Sequence, residues 1–364
     1  MTAYLGVSRP FANGNMKVGG MVKKERILIT GAGGMLGNAI FPYCSSRFET
    51  ICATDIEISE PWLEYLDVRD TTALQRKFAE LQPNLVLHLA ACTDLEFCDT
   101  HLAVAEDTNV AATGEVAALC EEFGATLVYI STAGIFNGDK EGFYTEEDEP
   151  DPIMVYGRTK YEGEKLVAAR CRRHFTVRAG WMVGGGPMKD KKFVHVVIGQ
   201  IVSGARVIRA VNDRWGTPTY THDFALNLFR LIESRNYGTY HMGCEGSGSR
   251  YDVARAILEI CGREDIELIP VDSSYFESNY FAPRPISEMM RNAKLSALGI
   301  NLMRPWREAL RDYITREFPH AIAGAGAQAE RRSRQDQRKR ANDWNGPERR
   351  KSRGRRETDV DKQD

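Results

Sequence analysis

A glycine-rich turn between an apolar strand and the start of a helix constrains the fold of this 364-residue chain more than any other feature. The segment reads ILITGAGGMLGNAI, and its glycines are spaced T-G-x-x-G-x-x-G rather than the commoner G-x-G-x-x-G. Gly31 allows a tight turn, Gly34 lets the backbone approach a pyrophosphate, and Gly37 allows close helix–strand packing. The start of the helix offers free N–H groups to phosphates, so we predict a dinucleotide site at Gly31, Gly34, Met35, Leu36 and Gly37.

Apolar strands alternate with helices along residues 25–180. We predict strands at 26–30, 50–55, 85–90, 126–131 and 175–179, and helices from the glycine turn to Cys44, at 71–81, at 103–123 and from 155 to about 172. This alternation indicates βαβ units and a buried parallel sheet, so the predicted fold is α/β: a doubly wound Rossmann domain.

After Gly180 the alternation of strands and helices becomes less regular. We predict strands at 206–210, 238–242 and 266–270, mixed with helices at 223–233 and 251–261. We interpret residues 181–320 as mainly a smaller, substrate-binding lobe, with some segments returning to the Rossmann sheet.

The two ends of the chain differ from its body. We expect residues 1–24 to form a flexible extension and residues 321–364 to form a disordered basic tail. Residues 330–364 hold 13 Lys and Arg against 8 Asp and Glu, with almost no apolar side chains. Such a segment cannot bury enough surface to offset its ordering entropy. It serves either to keep the protein soluble or to bind an anionic partner.

Cysteine usage and hydropathy bear on location. The eight cysteines include no C-x-x-C pair, which argues against a zinc site or a disulfide framework and suits a reducing compartment. No run of about 18 apolar residues predicts a transmembrane helix. We therefore expect a cytoplasmic protein without a metal site.

Asp55 ends the second predicted strand, where a carboxylate can accept hydrogen bonds from the adenosine ribose hydroxyls. It would repel a 2′-phosphate, and no Lys or Arg directly follows it in TDIEIS. These residues favour NAD(H) and leave NADP(H) possible. Further along, Asp67 could receive the adenine amino group, with Val68 against the ring.

Tyr156 and Lys160, in VYGRTKYEGEK, lie four residues apart and therefore share one face of a predicted helix. A nearby ammonium favours the phenolate and lowers the pKa of the tyrosine, so the pair can act as a general acid or base. Ser131 and Thr132 end the fourth predicted strand, where a hydroxyl can stabilise charge developing on a substrate oxygen.

The chain resembles the extended short-chain dehydrogenase/reductase family and is most similar to the dTDP-4-dehydrorhamnose reductases. The similarity covers residues 26–318 and is carried by TGAGGMLG, PNLVLHLAACTDLEFCD, ISTAGIFNG, MVYGRTKYEGE, VNDRWGTPTYTHDFA and APRP, among other segments. The resemblance implies that Thr132, Tyr156 and Lys160 form a catalytic triad. It also implies that Asn109 supports a proton relay to the lysine, and that the nicotinamide ribose region is lined by His88, Leu89, Ala90, Ala91 and Thr93. His88 could instead be a strand-end residue without a ligand.

The resemblance also implies a pocket for a sugar nucleotide, near Arg178, Trp181, Trp215, Thr217, Pro218, Thr219 and Arg284. Trp181 could stack on a base, and Arg284 could pair with a diphosphate. In the family, Thr-Asp-Tyr usually ends the fourth strand, but here the residues are Thr132, Ala133 and Gly134. Losing two polar sugar contacts should alter specificity strongly.

Three functions are compatible with these observations. The first is NAD(P)H-dependent reduction of a keto group on a nucleotide-linked deoxysugar, with Tyr156 as proton donor. The second is a nucleotide-sugar epimerase that retains NAD, for which Ala133 and Gly134 leave room for the sugar to rotate. The third is a non-catalytic, cofactor-binding regulatory subunit. The family resemblance also makes a homo-oligomer plausible, through helices flanking the sheet.

Overall fold

The computed structural model describes residues 25–323 and contains a seven-stranded, fully parallel sheet. The strand order is β3-β2-β1-β4-β5-β6-β11, which is the doubly wound arrangement with one additional edge strand. The strands are β1 (Arg26–Thr30), β2 (Thr50–Asp55), β3 (Leu63–Tyr65), β4 (Leu85–His88), β5 (Thr126–Thr132), β6 (His174–Ala179) and β11 (Gly238–Met242). The predicted fold class is confirmed.

Both faces of the sheet are covered by apolar side chains because neighbouring strand residues point in opposite directions. In β1, Ile27 and Ile29 belong to one buried cluster and Leu28 to the other. One face packs against α1 (Met35–Ser45) and α9 (Thr221–Ser234). The other packs against α2 (Thr71–Leu81), α5 (Ala112–Glu122) and α6 (Val155–Arg170).

A second group of elements follows β6. Its strands are β7 (Trp181–Val183), β8 (Val207–Val211), β9 (Trp215–Gly216), β10 (Pro218–Tyr220), β12 (Gly248–Ser249), β13 (Glu267–Val271) and β14 (Ser287–Glu288). They form three small sheets, in which β7 pairs with β10, β8 with β13, and β9 with both β12 and β14. The helices are α7 (Gly186–Lys189), α8 (Phe193–Val202), α10 (Arg250–Cys261), α11 (Ala293–Ala297) and α12 (Trp306–Glu317).

The helix predicted at 103–123 is interrupted. After α3 (Leu95–Thr100), the chain forms α4 (Leu102–Glu106), a π-helical turn (Asp107–Ala111) and then α5. A π turn inserts one residue into a helix and often marks a functional site. The inserted turn contains Asn109, which is fully buried.

One strand ends earlier than predicted. The strand predicted at 85–90 ends at His88, so that Leu89 and Ala90 belong to the loop beyond the sheet edge. Strand β11 has its predicted bounds, 238–242, and it pairs with β6, so that it extends the main sheet.

Residues 1–24 and 324–364 lie outside the described range, so the expectations for these two end segments stay predictions. Within residues 25–323, no helix is long and apolar enough to cross a membrane. The same residues contain no group of three or more His, Cys, Asp or Glu side chains that could hold a metal ion.

Candidate active site

The glycine turn is held in a shape that side chains would not permit. Gly31 has φ +67°, and a Cβ there would lie 2.6 Å from Cα of Ala90. A Cβ on Gly37 would lie 2.6 Å from Cα of Ala32, so this glycine allows α1 to pack against the turn. Beside Gly34, by contrast, a Cβ would meet only the Gly31 carbonyl oxygen, at 3.5 Å. The turn is therefore closely packed on one side and open at Gly34.

The N-terminus of α1 lies at this open position. Gly34 is its N-cap, no side chain caps its backbone N–H groups, and its first turn has no acidic residue. The first N–H groups of a helix need partners from outside the helix. This end of α1 can therefore bind an anion, as predicted for Met35 and Leu36.

Asp55 connects the end of β2 to the glycine turn. Its Oδ2 atom accepts a hydrogen bond from the N–H of Gly33 at 2.8 Å, and its Oδ1 atom accepts one from the N–H of Glu57 at 3.0 Å. Asp67 lies further along this edge, where Arg69 binds its carboxylate at 2.6 Å and lowers its pKa. Val68 is buried. The predicted contacts of Asp67 and Val68 with adenine stay predictions.

Asn109 anchors the loop that follows β4. Its Oδ1 atom accepts from the N–H of Cys92 at 2.8 Å, and its Nδ2 atom donates to the Cys92 carbonyl oxygen at 3.0 Å. Nδ2 also lies 3.0 Å from Oγ1 of Thr159, the residue before Lys160. Asn109 thus joins the loop after β4 to α6, the helix that carries Tyr156 and Lys160. The loop residues named by the resemblance, from Leu89 to Thr93, are all at least partly exposed.

Thr132, Tyr156 and Lys160 meet at the carboxyl edge of the sheet. Thr132 ends β5, while Tyr156 and Lys160 lie in the first two turns of α6. The Thr132 hydroxyl acts on the Tyr156 phenol by lowering its pKa, and it accepts a hydrogen bond from the N–H of Gly134 at 3.1 Å. Ser131, the alternative strand-end hydroxyl, is buried and has no hydrogen-bond partner, whereas Thr132 is partly exposed, so Thr132 is the hydroxyl available to a substrate.

Burial controls the titration of the tyrosine and the lysine. The Lys160 side chain is 2% exposed, its Nζ lies 4.1 Å from the centroid of the Tyr129 ring, and burial lowers its pKa to about 7. Burial raises the pKa of Tyr156 above its ordinary value of 10, and the Thr132 hydrogen bond opposes this only in part. The expectation that the lysine lowers the tyrosine pKa is wrong for this structure, because desolvation of the phenolate is the largest cause of the shift and Lys160 is not among the groups that act on it.

Two glycines let α6 approach the sheet closely. A Cβ on Gly157 would overlap the Gly134 carbonyl oxygen and lie 2.9 Å from its carbon. A Cβ on Gly163 would lie 2.8 Å from the Asn109 carbonyl oxygen and 2.9 Å from Cζ of Tyr129. The distance between α6 and the end of β5 is therefore fixed by backbone contact.

His88 does not line the cleft. It is 1% exposed, with Nδ1 2.8 Å from Oγ1 of Thr30 and Nε2 3.2 Å from Oγ1 of Thr113. Burial, with a contribution from the charge of Lys160, lowers its pKa to about 3. The implied ribose contact is wrong, because both ring nitrogens are used inside the protein.

Arg178 is likewise a buried structural residue. Its guanidinium binds the Glu164 carboxylate at 2.8 Å, and both side chains are 7% exposed. Glu164 lies on α6, four residues after Lys160, and raises the lysine pKa against the effect of burial. The implied position of Arg178 near the sugar-nucleotide pocket is wrong, because the ion pair fixes α6 to β6.

Thr217 and its neighbours are also buried. Thr217 is 0% exposed, and its hydroxyl accepts a hydrogen bond from the N–H of Met290 at 3.0 Å. Thr219 is equally buried and donates to the Thr217 carbonyl oxygen at 3.0 Å, and Pro218 is buried beside them. The prediction that Thr217 binds substrate is wrong, because its hydroxyl connects two segments of the lobe.

Trp181 and Arg284 lie on the lobe side of the cleft. The indole N–H of Trp181 donates to Oε2 of Glu288 at 2.7 Å, and the guanidinium of Arg250 lies 3.8 Å from the ring centroid. A base could stack on that face only after the guanidinium moves. Arg284 binds Glu96 of α3 at 2.6 Å, and Trp215 is 40% exposed. Their predicted ligand contacts stay predictions.

The Ala133–Gly134 turn carries no polar side chain, and two side chains from other segments lie beside it. A Cβ on Gly134 would lie 2.6 Å from Cε of Met154, 3.3 Å from Oε1 of Glu288 and 3.5 Å from Oγ1 of Thr132. The expectation that Ala133 and Gly134 leave room for a sugar to rotate stays a prediction. Sequence analysis missed Met154 and Glu288, although the missing polar contacts at this turn were a signal to search for a substitute elsewhere in the chain.

Comparison with known proteins identifies the family of the chain. The chain is 31% identical over 306 residues to a dTDP-4-dehydrorhamnose reductase of Mycolicibacterium smegmatis, covering 84% of this chain and 88% of that one. It is 28% identical over 301 residues to the methionine adenosyltransferase 2 subunit beta of Mus musculus, covering 80% and 88%. The crystal structure of a dTDP-4-dehydrorhamnose reductase from Bacillus anthracis, in complex with NADP, superposes with a TM-score of 0.74 at 30% identity, covering 80% and 99%. Residues 25–318 match the RmlD substrate binding domain family, and the chain therefore belongs to that family.

Proposed function

We propose that this protein is an NAD(P)H-dependent oxidoreductase of the extended short-chain type, which reduces a keto group on a nucleotide-linked deoxysugar such as dTDP-4-dehydrorhamnose. The observation that carries the proposal is the meeting of Thr132, Tyr156 and Lys160 at the sheet edge that also holds the glycine turn. The names of the M. smegmatis and B. anthracis relatives support the substrate class.

The residues at the glycine turn fit a nicotinamide dinucleotide. The uncapped N-terminus of α1 and the open side of Gly34 would take the pyrophosphate. Asp55 would accept from the adenosine ribose, which favours NAD(H) because a 2′-phosphate would meet a carboxylate. A bound reduced nicotinamide supplies the hydride for the reaction.

Tyr156 donates the proton. Because its pKa lies above 10, the phenol is protonated at neutral pH, and a reduction needs a proton for the alkoxide that forms from the keto oxygen. Thr132 orients the keto oxygen through its hydroxyl. Lys160, with a pKa near 7, would hold the nicotinamide ribose, as the family resemblance implies.

The test is turnover with a panel of nucleotide ketosugars. Purified full-length protein is mixed with each ketosugar and with NADH or NADPH, and oxidation of the cofactor is followed by absorbance. We expect a 4-keto-6-deoxysugar linked to a nucleoside diphosphate to be reduced. Absence of cofactor oxidation with every ketosugar would contradict the proposal.

A regulatory role is the second candidate, because the mouse relative is named as a subunit of another enzyme. In that case the protein would bind a dinucleotide without turnover. The presence of Thr132, Tyr156 and Lys160 in one cleft supports catalysis instead, and the ketosugar panel separates the two roles. The epimerase alternative is less well supported, because the relatives of about 30% identity named above are reductases.

A further inference from the structure

The turn after β5 lacks the polar side chains that would recognise the hydroxyl groups of a sugar. The turn after β5 offers only Ala133 and Gly134, neither of which has a polar side chain. A site that distinguishes sugars needs acceptors and donors for hydroxyl groups. Some other element must supply them at this position.

Glu288 supplies a carboxylate at this turn from a distant part of the sequence. Its Oε1 atom and the Thr132 hydroxyl oxygen lie 3.3 and 3.5 Å from the same point, the position that a Cβ on Gly134 would occupy. The charge of Glu288 also contributes to the raised pKa of Tyr156. The methyl carbon of Met154 lies nearer to that point, at 2.6 Å, but it is the flexible end of a side chain. Once it moves aside, Glu288 borders the volume in which a keto group would contact Thr132.

The carboxylate is held in one orientation. Its Oε2 atom accepts the indole N–H of Trp181 at 2.7 Å, and the ring of Trp181 is packed between Gly216 and Arg250. The backbone of Glu288 is paired with Gly216 in a strand. Because Oε2 is occupied by the indole, Oε1 is the atom left facing the Gly134 turn.

Burial raises the pKa of Glu288, and three neighbours oppose this rise. The indole of Trp181 and the guanidinium groups of Arg250 and Arg284 all stabilise the charged form of the carboxyl group. An ionised carboxylate is an acceptor only, and hydrogen bonds to charged groups are stronger than those between neutral groups. The natural partner for such an oxygen in a sugar site is a hydroxyl group.

We propose that Glu288 determines substrate specificity by accepting a hydrogen bond, through Oε1, from the sugar hydroxyl next to the keto carbon. This inference rests on the proposed ketosugar reduction. Glu288 takes the part of the polar residues that the Ala133–Gly134 turn lacks, and it contacts substrate without taking part in proton transfer.

The experiment compares wild type with Glu288→Gln on two substrates. The glutamine can still accept from Trp181, but it then presents an N–H donor to the Gly134 turn. We expect kcat/KM to fall about 10- to 100-fold for dTDP-4-dehydrorhamnose. We expect a change of no more than about 2-fold for the analogue that lacks the hydroxyl next to the keto carbon. Glu264→Gln, at an exposed carboxylate in the lobe, is the matched control and should leave both values unchanged.

Equal losses on both substrates, or no loss on either, would overturn the role of Glu288, because a purely structural carboxylate cannot distinguish them. If wild type shows no turnover, the proposed function fails, and the role of Glu288 is then tested by a binding measurement. Calorimetry with dTDP-rhamnose and with dTDP then gives the answer. Glu288→Gln should lower the affinity for dTDP-rhamnose and leave the affinity for dTDP unchanged. Equal affinities of wild type and variant for dTDP-rhamnose would refute the inference.

Discussion

Gly157→Ala should separate the catalytic tyrosine from the strand-end threonine without removing any functional group. The added Cβ would overlap the Gly134 carbonyl oxygen and lie 2.9 Å from its carbon, whereas ordinary contacts begin at 3.4 Å. Both contacted atoms belong to the backbone carbonyl group of Gly134, so neither can move unless the turn itself moves. Helix α6 must then retreat from the β5 end by about 1 Å, because packed interiors have no spare volume.

A displacement of about 1 Å at reacting groups costs about 100-fold in rate. We therefore expect kcat of Gly157→Ala to fall by about 100-fold, with a loss of about 1–3 kcal/mol in the free energy of unfolding. The assays are steady-state ketosugar reduction and urea denaturation.

Gly199→Ala is the matched control for this substitution. Gly199 also lies within a helix, and nothing lies within 4 Å of the position of its Cβ. This substitution should leave kcat unchanged and stabilise the protein by about 0.5–1 kcal/mol. Wild-type kcat in Gly157→Ala would refute the reasoning that backbone contact sets the distance between Tyr156 and Thr132.

Three further outcomes follow from the site. Asp55→Asn keeps a hydrogen-bond acceptor for the glycine turn but removes the negative charge. The ratio of kcat/KM with NADPH to kcat/KM with NADH should therefore rise about 10-fold or more. An unchanged ratio would argue against the role of Asp55 in disfavouring NADPH. The folded-state pKa of Lys160, about 7, lies below its ordinary 10.5. The unfolded chain therefore binds more protons between these values, and the stability of wild type relative to Lys160→Met should increase with pH across that window in urea titrations. Glu164→Gln leaves Arg178 buried without its anionic partner and should lower the free energy of unfolding by about 3–5 kcal/mol. The control Glu162→Gln removes one partner of the exposed Lys165–Glu162 pair and should lower it by less than about 1 kcal/mol.

The main sheet and the cofactor side of the cleft were accessible from sequence because their signals are local. Strand β2 and helix α2 have the predicted bounds, since apolar periodicity and the stop at Pro83 act over a few residues. The glycine turn and the four-residue spacing of Tyr156 and Lys160 are equally local. Such patterns predict the fold well and predict which residues share a helix face.

The sugar side could not be predicted in the same way because its contacts join distant segments. Glu288 is bonded to Trp181 across 107 positions, and nothing in the segment PRPISEMM marks its glutamate as a cleft residue. The π turn at Asn109 was also missed, because one inserted residue barely disturbs an apolar period.

Burial explains the residues that were assigned wrongly. His88, Arg178 and Thr217 have chemically capable side chains near the predicted site, and a sequence gives their type without showing where their side chains point. In the structure each one satisfies a buried polar partner: Thr30 and Thr113, Glu164, and Met290, respectively. Buried polar groups are almost always paired, so this role competes with ligand binding at every strand end.

The most direct test of the account is the turnover of Tyr156→Phe in the presence of saturating reduced cofactor. The variant keeps the ring and loses only the hydroxyl group, whose pKa Thr132 lowers against the effect of burial. Tyr161→Phe, on the same helix, is its control. We predict that kcat for ketosugar reduction falls by about 100- to 10,000-fold in Tyr156→Phe, with cofactor affinity retained and with Tyr161→Phe fully active. Undiminished reduction by Tyr156→Phe would contradict the assignment of the proton donor and, with it, the catalytic role of this cleft.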